Sequence, residues 1–144
     1  MAFLYYSLLS IISYLFSKEG FRYTDIVTER NKGGMFMIYT LDEIKKRVFP
    51  VIQKYNIPAM YLFGSYARGE ATEESDLDFL VDTTGTSLTS LLALGALYCD
   101  LEEVFHKDID LITVRSVMQN ILTESDRCFR DTVIRERVKL NDVA

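Results

Sequence analysis

Apolar residues recur along the chain at helical and strand spacings, and the alternation of these segments predicts its elements. Leu41, Ile44, Val48 and Ile52 fall three or four apart, which puts them on one face of a helix running to about Tyr55. Thr40 ahead of them, with Glu43 three residues on, makes a capping box that fixes where this helix starts. Pro50 falls inside it and predicts a kink or an early stop. Next come two short apolar runs, "AMYLFGS" and "DLDFLVD", each the length of a buried strand. "TTGTS" reads as a turn, with Ser87 a candidate cap for an apolar helix from Leu88 to about Phe105. "DIDLITV" is a third strand, and from Ser116 the pattern turns helical again. Helix, strand, turn, strand, helix, strand, helix is the order of an α/β (α+β) domain, a small mixed sheet flanked by helices.

The first 36 residues stand apart from this pattern. "AFLYYSLLSIISYLF", Ala2 to Phe16, is almost wholly apolar, but no Lys or Arg precedes it and it has no obvious small-residue cleavage site. It is shorter than the roughly 20 residues of a membrane span. Ser7, Ser10, Ser13 and Ser17 form a small polar stripe at helical spacing, so the expectation is a helix packed on the domain or a partner. Membrane association is the alternative. The Lys-Gly-Gly of "NKGGMFM" can be encoded by a ribosome-binding sequence, so a native start at Met35 or Met37 is also open. The division expected is an apolar helical extension over 1–36 and one catalytic-sized domain over 37–144.

Composition narrows the class. At 144 residues, with 49% hydrophobic and 26% charged, the chain can bury a core without staples. Two cysteines, Cys99 and Cys128, make neither a disulfide framework nor a metal pair, which favours a cytoplasmic setting. The net charge of −5 argues against coating nucleic acid by bulk electrostatics, so no direct nucleic-acid partner is expected. It also means that a polyanionic substrate needs a metal or local donors beside it.

The carboxylates of the second strand supply the chemistry. Asp76 and Asp78 are one residue apart, so on a strand both leave the same face while Leu77 and Phe79 enter the core. Two carboxylates held that close repel each other unless a cation lies between them. Hard cations such as Mg²⁺ choose carboxylate oxygens and keep positions open for substrate phosphates. Asp108 and Asp110 repeat the arrangement at the head of the third strand, and a third acid there would complete a set suited to two-metal phosphoryl or nucleotidyl transfer. Gly64 permits close backbone approach to a phosphate, Ser65 adds a hydroxyl, and Arg68 can add positive charge. A lone Asp-x-Asp is most often a solvated strand end, and a lone Gly-Ser an ordinary turn. The combination across three strands carries the inference.

"GSYARGEATEESDLDFLV" resembles the signature of the DNA polymerase β-like nucleotidyltransferase superfamily: Gly-Ser, a spacer of about ten residues, then Asp-x-Asp between apolar residues. The short chain, the "GSYARG" form and the later "DIDLI" resemble the minimal nucleotidyltransferases, the MntA-like antitoxins of HEPN/MNT pairs, over roughly Thr40 to Val114. The resemblance implies the polymerase β-like nucleotidyltransferase fold. It implies nucleotide phosphates on Gly64 and Ser65 with Arg68 as an auxiliary, and two Mg²⁺ ions on Asp76 and Asp78. Asp110 matches the third acid, catalytic and metal-positioning, whereas Asp108 falls outside that match, at the strand entrance. No position departs from the core motif. The implied activity is transfer of AMP from ATP to a tyrosine of a cognate HEPN ribonuclease toxin, silencing it. The alternatives are a non-enzymatic antitoxin that works by binding, and transfer to a small molecule. Only about 30 residues follow the third strand, too few for the substrate domain of aminoglycoside nucleotidyltransferases, so the partner is expected to lend substrate-binding surface.

Three further features read as structural. His106, the sole histidine, is expected on the surface, and Tyr66 is given a packing role. Arg127 to Lys139 reads as a solvated amphipathic helix whose stripe of Cys128, Val133, Ile134 and Val138 could also dock a partner.

Overall fold

The computed structural model describes residues 37–142, so the expected extension over 1–36 lies outside the described residues. Nine elements follow one another: α1 (Leu41–Lys54), β1 (Ala59–Phe63), α2 (Gly64–Arg68), β2 (Leu77–Asp82), α3 (Leu91–Phe105), β3 (Ile109–Thr113), α4 (Val114–Gln119), α5 (Glu124–Glu136) and β4 (Val138–Lys139). The strands lie in the order β3-β2-β1-β4. β1 is antiparallel to both β2 and β4, while β2 and β3 are parallel, joined by the α3 crossover. The mixed sheet expected from the sequence is present.

Alternation along the strands assigns each face its own cover. Met60 and Leu62 of β1, and Leu77, Phe79 and Val81 of β2, point into the larger core. There they meet Ile44, Val48, Val51 and Ile52 of α1 and Leu97, Leu101 and Phe105 of α3. The other face carries Phe63, Leu80, Val117 and Val133, a smaller cluster covered by α4 and α5. This makes three layers, helices on both sides of one sheet.

Local chemistry explains most element ends. The Thr40 capping box forms as read: the Glu43 amide donates to Thr40 Oγ1 at 3.3 Å and the Thr40 amide donates to Glu43 Oε2 at 2.7 Å. Pro50 does not end α1, which continues to Lys54 with Pro50 on its exposed side. The cap expected at Ser87 is instead Ser90, whose Oγ accepts from the Ala93 amide, and the helix begins at Leu91 rather than Leu88. The reason lies in the preceding turn. Thr86 donates its amide to Thr83, and its Oγ1 accepts from the Leu88 amide, so Leu88 enters the core before any helix forms.

The C-terminal region departs further from the sequence reading. The expected single helix is two, α4 and α5, the second opened by a Thr123–Asp126 capping box. The segment read as helical to Lys139 ends at Glu136, because Val138 and Lys139 pair with Leu62 and Tyr61 as a two-residue strand. Leu140 then becomes fully buried, and its amide donates to the Met60 carbonyl at 2.8 Å. Asn141 locks the same edge: its Oδ1 accepts from the Met60 amide at 2.7 Å, and its Nδ2 donates to the carbonyls of Ile57 and Pro58. Leu140→Ala is therefore expected to lower unfolding stability by about 2–5 kcal/mol in urea titration, the range for emptying a buried leucine site.

Candidate active site at the carboxylate end of the sheet

The register brings the chemistry together. Phe63 of β1 lies opposite Asp78 of β2, and Asp78 lies opposite Asp110 of β3. Asp78 and Asp110 thus leave the sheet on the face of the smaller cluster, beyond the part filled by Leu80, Val117 and Val133. Asp76 stands one step ahead of β2 with the same parity, outside the strand and exposed. Asp108 is at the strand entrance, as expected, and its carbonyl accepts from the Leu77 amide at 3.0 Å. Its carboxylate faces Asp76 closely enough to raise that group's affinity for a proton.

The electrostatics of the three acids point one way. Burial, reinforced by the Asp76 charge and opposed by Arg68, pushes the Asp78 carboxyl up to about 6. Partial desolvation of the exposed Asp76, together with the Asp108 charge, raises its carboxyl, with Lys107 opposing. Burial raises Asp110 as well. Each carboxylate is held in a setting that disfavours its negative charge, and a cation among them would relieve that cost.

Gly64 supplies the opposite wall. It follows β1 directly, adopts φ +71°, and packs its Cα so closely on Asp78 that an added methyl would overlap the carboxylate. Only a residue without a side chain combines that backbone with that approach. The sequence reading had a simple Gly-Ser turn here; the structure makes Gly64 the first residue of the short helix α2, with Ser65 behind it. The first amide groups of α2 have no intrahelical acceptor, as at any helix start, and Phe63 offers them no side-chain cap; they stand beside the Asp78 end of the sheet. The helix closes at Gly69 in the left-handed conformation.

Arg68 reaches the same area but is engaged by protein acids. Its Nε donates to Glu70 Oε2 at 2.8 Å and its Nη1 to Glu136 Oε2 at 2.9 Å, while its charge bears on Asp78. Lys107, which the sequence reading did not single out, donates to the Glu73 carbonyl at 2.7 Å and lies 5.9 Å from the Tyr66 ring centroid. It ties the polar connection between α2 and β2 to the strand entrance. Tyr66 is buried, as its packing role required. His106 is exposed, as expected, and caps the C-terminus of α3 in the left-handed conformation.

The donor set fits a hard cation. Asp76, Asp78 and Asp110 offer only oxygen, and Mg²⁺ is commonly held by one or two carboxylates together with substrate phosphates. Among the described residues no three acidic, histidine or cysteine side chains close into a ready-made metal cluster.

Comparison with known proteins decides the family. The family described as "Polymerase beta, Nucleotidyltransferase" matches residues 46–133, which include all of Gly64, Ser65, Asp76, Asp78 and Asp110. The chain belongs to this family. A Methanocaldococcus jannaschii relative named "Putative protein adenylyltransferase" is 40% identical over 77 residues, covering 54% of this chain and 81% of the relative. The protein adenylyltransferase MntA of Thermococcus cleftensis is 35% identical over 86 residues, covering 60% of this chain and 77% of its own length. A toxin–antitoxin crystal structure with AMP-PNP shares the fold, with TM-score 0.52 at 23% identity over 67% of this chain and 71% of that one. This polymerase β nucleotidyltransferase is thus an enzyme, as the "GSYARG" and Asp-x-Asp segments implied. No described helix is long and apolar enough to cross a membrane.

Proposed function

We propose that the chain transfers AMP from ATP to a hydroxyl of a partner protein, a tyrosine of a HEPN-type ribonuclease toxin, and thereby acts as its antitoxin. The observation that carries this reading is the alignment of Gly64, Asp78 and Asp110 across three neighbouring elements, with Asp76 just beyond. The adenylyltransferase names of the relatives support transfer of AMP to protein, and the toxin–antitoxin assembly of the structural relative supports the partner class.

The reaction divides among the residues as follows. The α2 amides at Gly64 and Ser65, with the Ser65 hydroxyl, receive phosphate oxygens, and Arg68 adds positive charge nearby. Asp76 and Asp78, joined by Asp110, would hold Mg²⁺, which supplies neutralisation of the triphosphate and of the departing pyrophosphate. Asp110 takes the proton of the acceptor hydroxyl as its oxygen bonds to the α-phosphorus. The bond from that phosphorus to the bridging oxygen of pyrophosphate breaks, and the electron pair leaves with pyrophosphate. Asp110 is apt for this because burial raises its affinity for a proton. Holding the acceptor in line is assigned to the partner.

Labelled ATP tests the reaction class. Label in the α-phosphate is expected to stay on the partner, and label in the γ-phosphate is expected to leave in pyrophosphate. Retention of the γ label would mean phosphoryl transfer instead, and retention of neither would mean neutralisation by binding alone.

A further inference from the structure

We infer that Glu136, at the C-terminal end of α5, is a positioning residue for Arg68 and so for the triphosphate of the nucleotide, an inference that rests on the ATP-transfer reading above. Glu136 lies 68 residues from Arg68 in sequence and outside the segment 46–133 matched by the family.

β4 pairs with β1 at Tyr61 and Leu62, only two residues ahead of the Gly64 turn. Because β4 starts two residues after Glu136, that pairing brings the end of α5 beside α2. Arg137 strengthens the junction: its amide donates to the Val133 carbonyl, and its guanidinium lies 4.5 Å from the Tyr61 ring centroid. Glu136 is thereby fixed, with its side chain only 17% exposed, and it accepts from Arg68 Nη1 at 2.9 Å. Arg135 Nη2 stands 3.8 Å from its other oxygen.

Glu70 also binds Arg68, but its side chain is 65% exposed and it sits on the connection to β2, so it contributes little fixed direction. Glu136 differs in its fixed position: it closes α5 with a side chain only 17% exposed, so it holds the half-exposed Arg68 from a set direction. A guanidinium has five N–H donors in a rigid fork, and the two carboxylates are joined to only two of its nitrogens, Nε and Nη1. The fork is anchored from the α5 side while its charge bears on Asp78, and three of its N–H donors remain for anionic oxygen. Glu136 touches no substrate in this scheme. It acts through Arg68.

The test is a double-mutant cycle on the full chain, read by displacement of a fluorescent ATP analogue and by steady-state transfer. Glu136→Gln, nearly the same shape, is expected to weaken ATP affinity and raise the ATP KM about tenfold, with kcat changed far less. Glu70→Gln is expected to change either value less than about threefold. In an Arg68→Ala background, Glu136→Gln is expected to add nothing further, because its effect passes through Arg68. An equal effect of Glu136→Gln with and without Arg68 would reduce Glu136 to a structural contact and overturn the inference. So would unchanged affinity and KM in the single variant. If the unaltered chain binds no ATP, the transfer reading itself fails and this inference falls with it; that result differs from a wild-type chain that binds ATP and a Glu136→Gln variant that matches it.

Discussion

Asp78→Asn is expected to abolish nucleotidyl transfer while making the metal-free protein more stable at neutral pH. The activity loss should be about a thousandfold or more, since the variant removes a carboxylate at the centre of the proposed metal and phosphate site. The stability gain follows from the same burial. The Asp78 carboxyl titrates at about 6 in the folded chain, above the usual carboxylate value, so folding disfavours its ionised form. For a raised acid the sign is fixed: its destabilising contribution is absent below the ordinary carboxylate range. It grows as pH rises from about 4 to about 6 and is fully present at pH 7. Removing the charge should therefore return roughly 1–3 kcal/mol at pH 7 and almost nothing at pH 4. Thermal melts at both pH values, in the presence of a chelator, check it. A melting difference between wild type and Asp78→Asn that does not shrink on acidification would contradict the assigned environment.

Gly64→Ala is expected to lose both stability and activity. Its φ of +71° costs an L-residue about 1–2 kcal/mol. The new methyl must also displace the Asp78 carboxylate, since no other direction is open to it. Shifting Asp78 while tilting the first amides of α2 disturbs both halves of the site at once, and loss of transfer by about a hundredfold or more is expected. Urea unfolding and steady-state transfer measure the two effects separately. A Gly64→Ala chain with wild-type activity would show that the close approach of Gly64 to Asp78 has no part in catalysis.

What the sequence disclosed was set by how local each cause is. The Thr40–Glu43 capping box and the apolar period of α1 are short-range, and both formed as read. Asp76 and Asp78 were legible because their one-residue spacing puts them on one face, and Asp110 through the family resemblance; the parallel β2–β3 register places Asp78 opposite Asp110. The cap expected at Ser87 falls at Ser90 because a turn hydrogen bond at Thr86, invisible in the apolar pattern, delays the helix. β4 was missed because two residues cannot display a period, and its pairing is decided by Leu140 and Asn141 meeting β1 more than 75 residues away. Glu136 was missed for the same reason: its importance depends on where β4 puts it. Arg68 was found by its place after Gly-Ser, but its engagement by two acids was not, since one of them is remote.

The most direct test of the account is the intact mass of the protein encoded beside this chain, measured after incubation with the chain, ATP and Mg²⁺. The account predicts a gain of one or more AMP units on that partner, mapping to a tyrosine, and no gain with the Asp76→Ala/Asp78→Ala chain. An unmodified partner, still neutralised by the double variant, would contradict it.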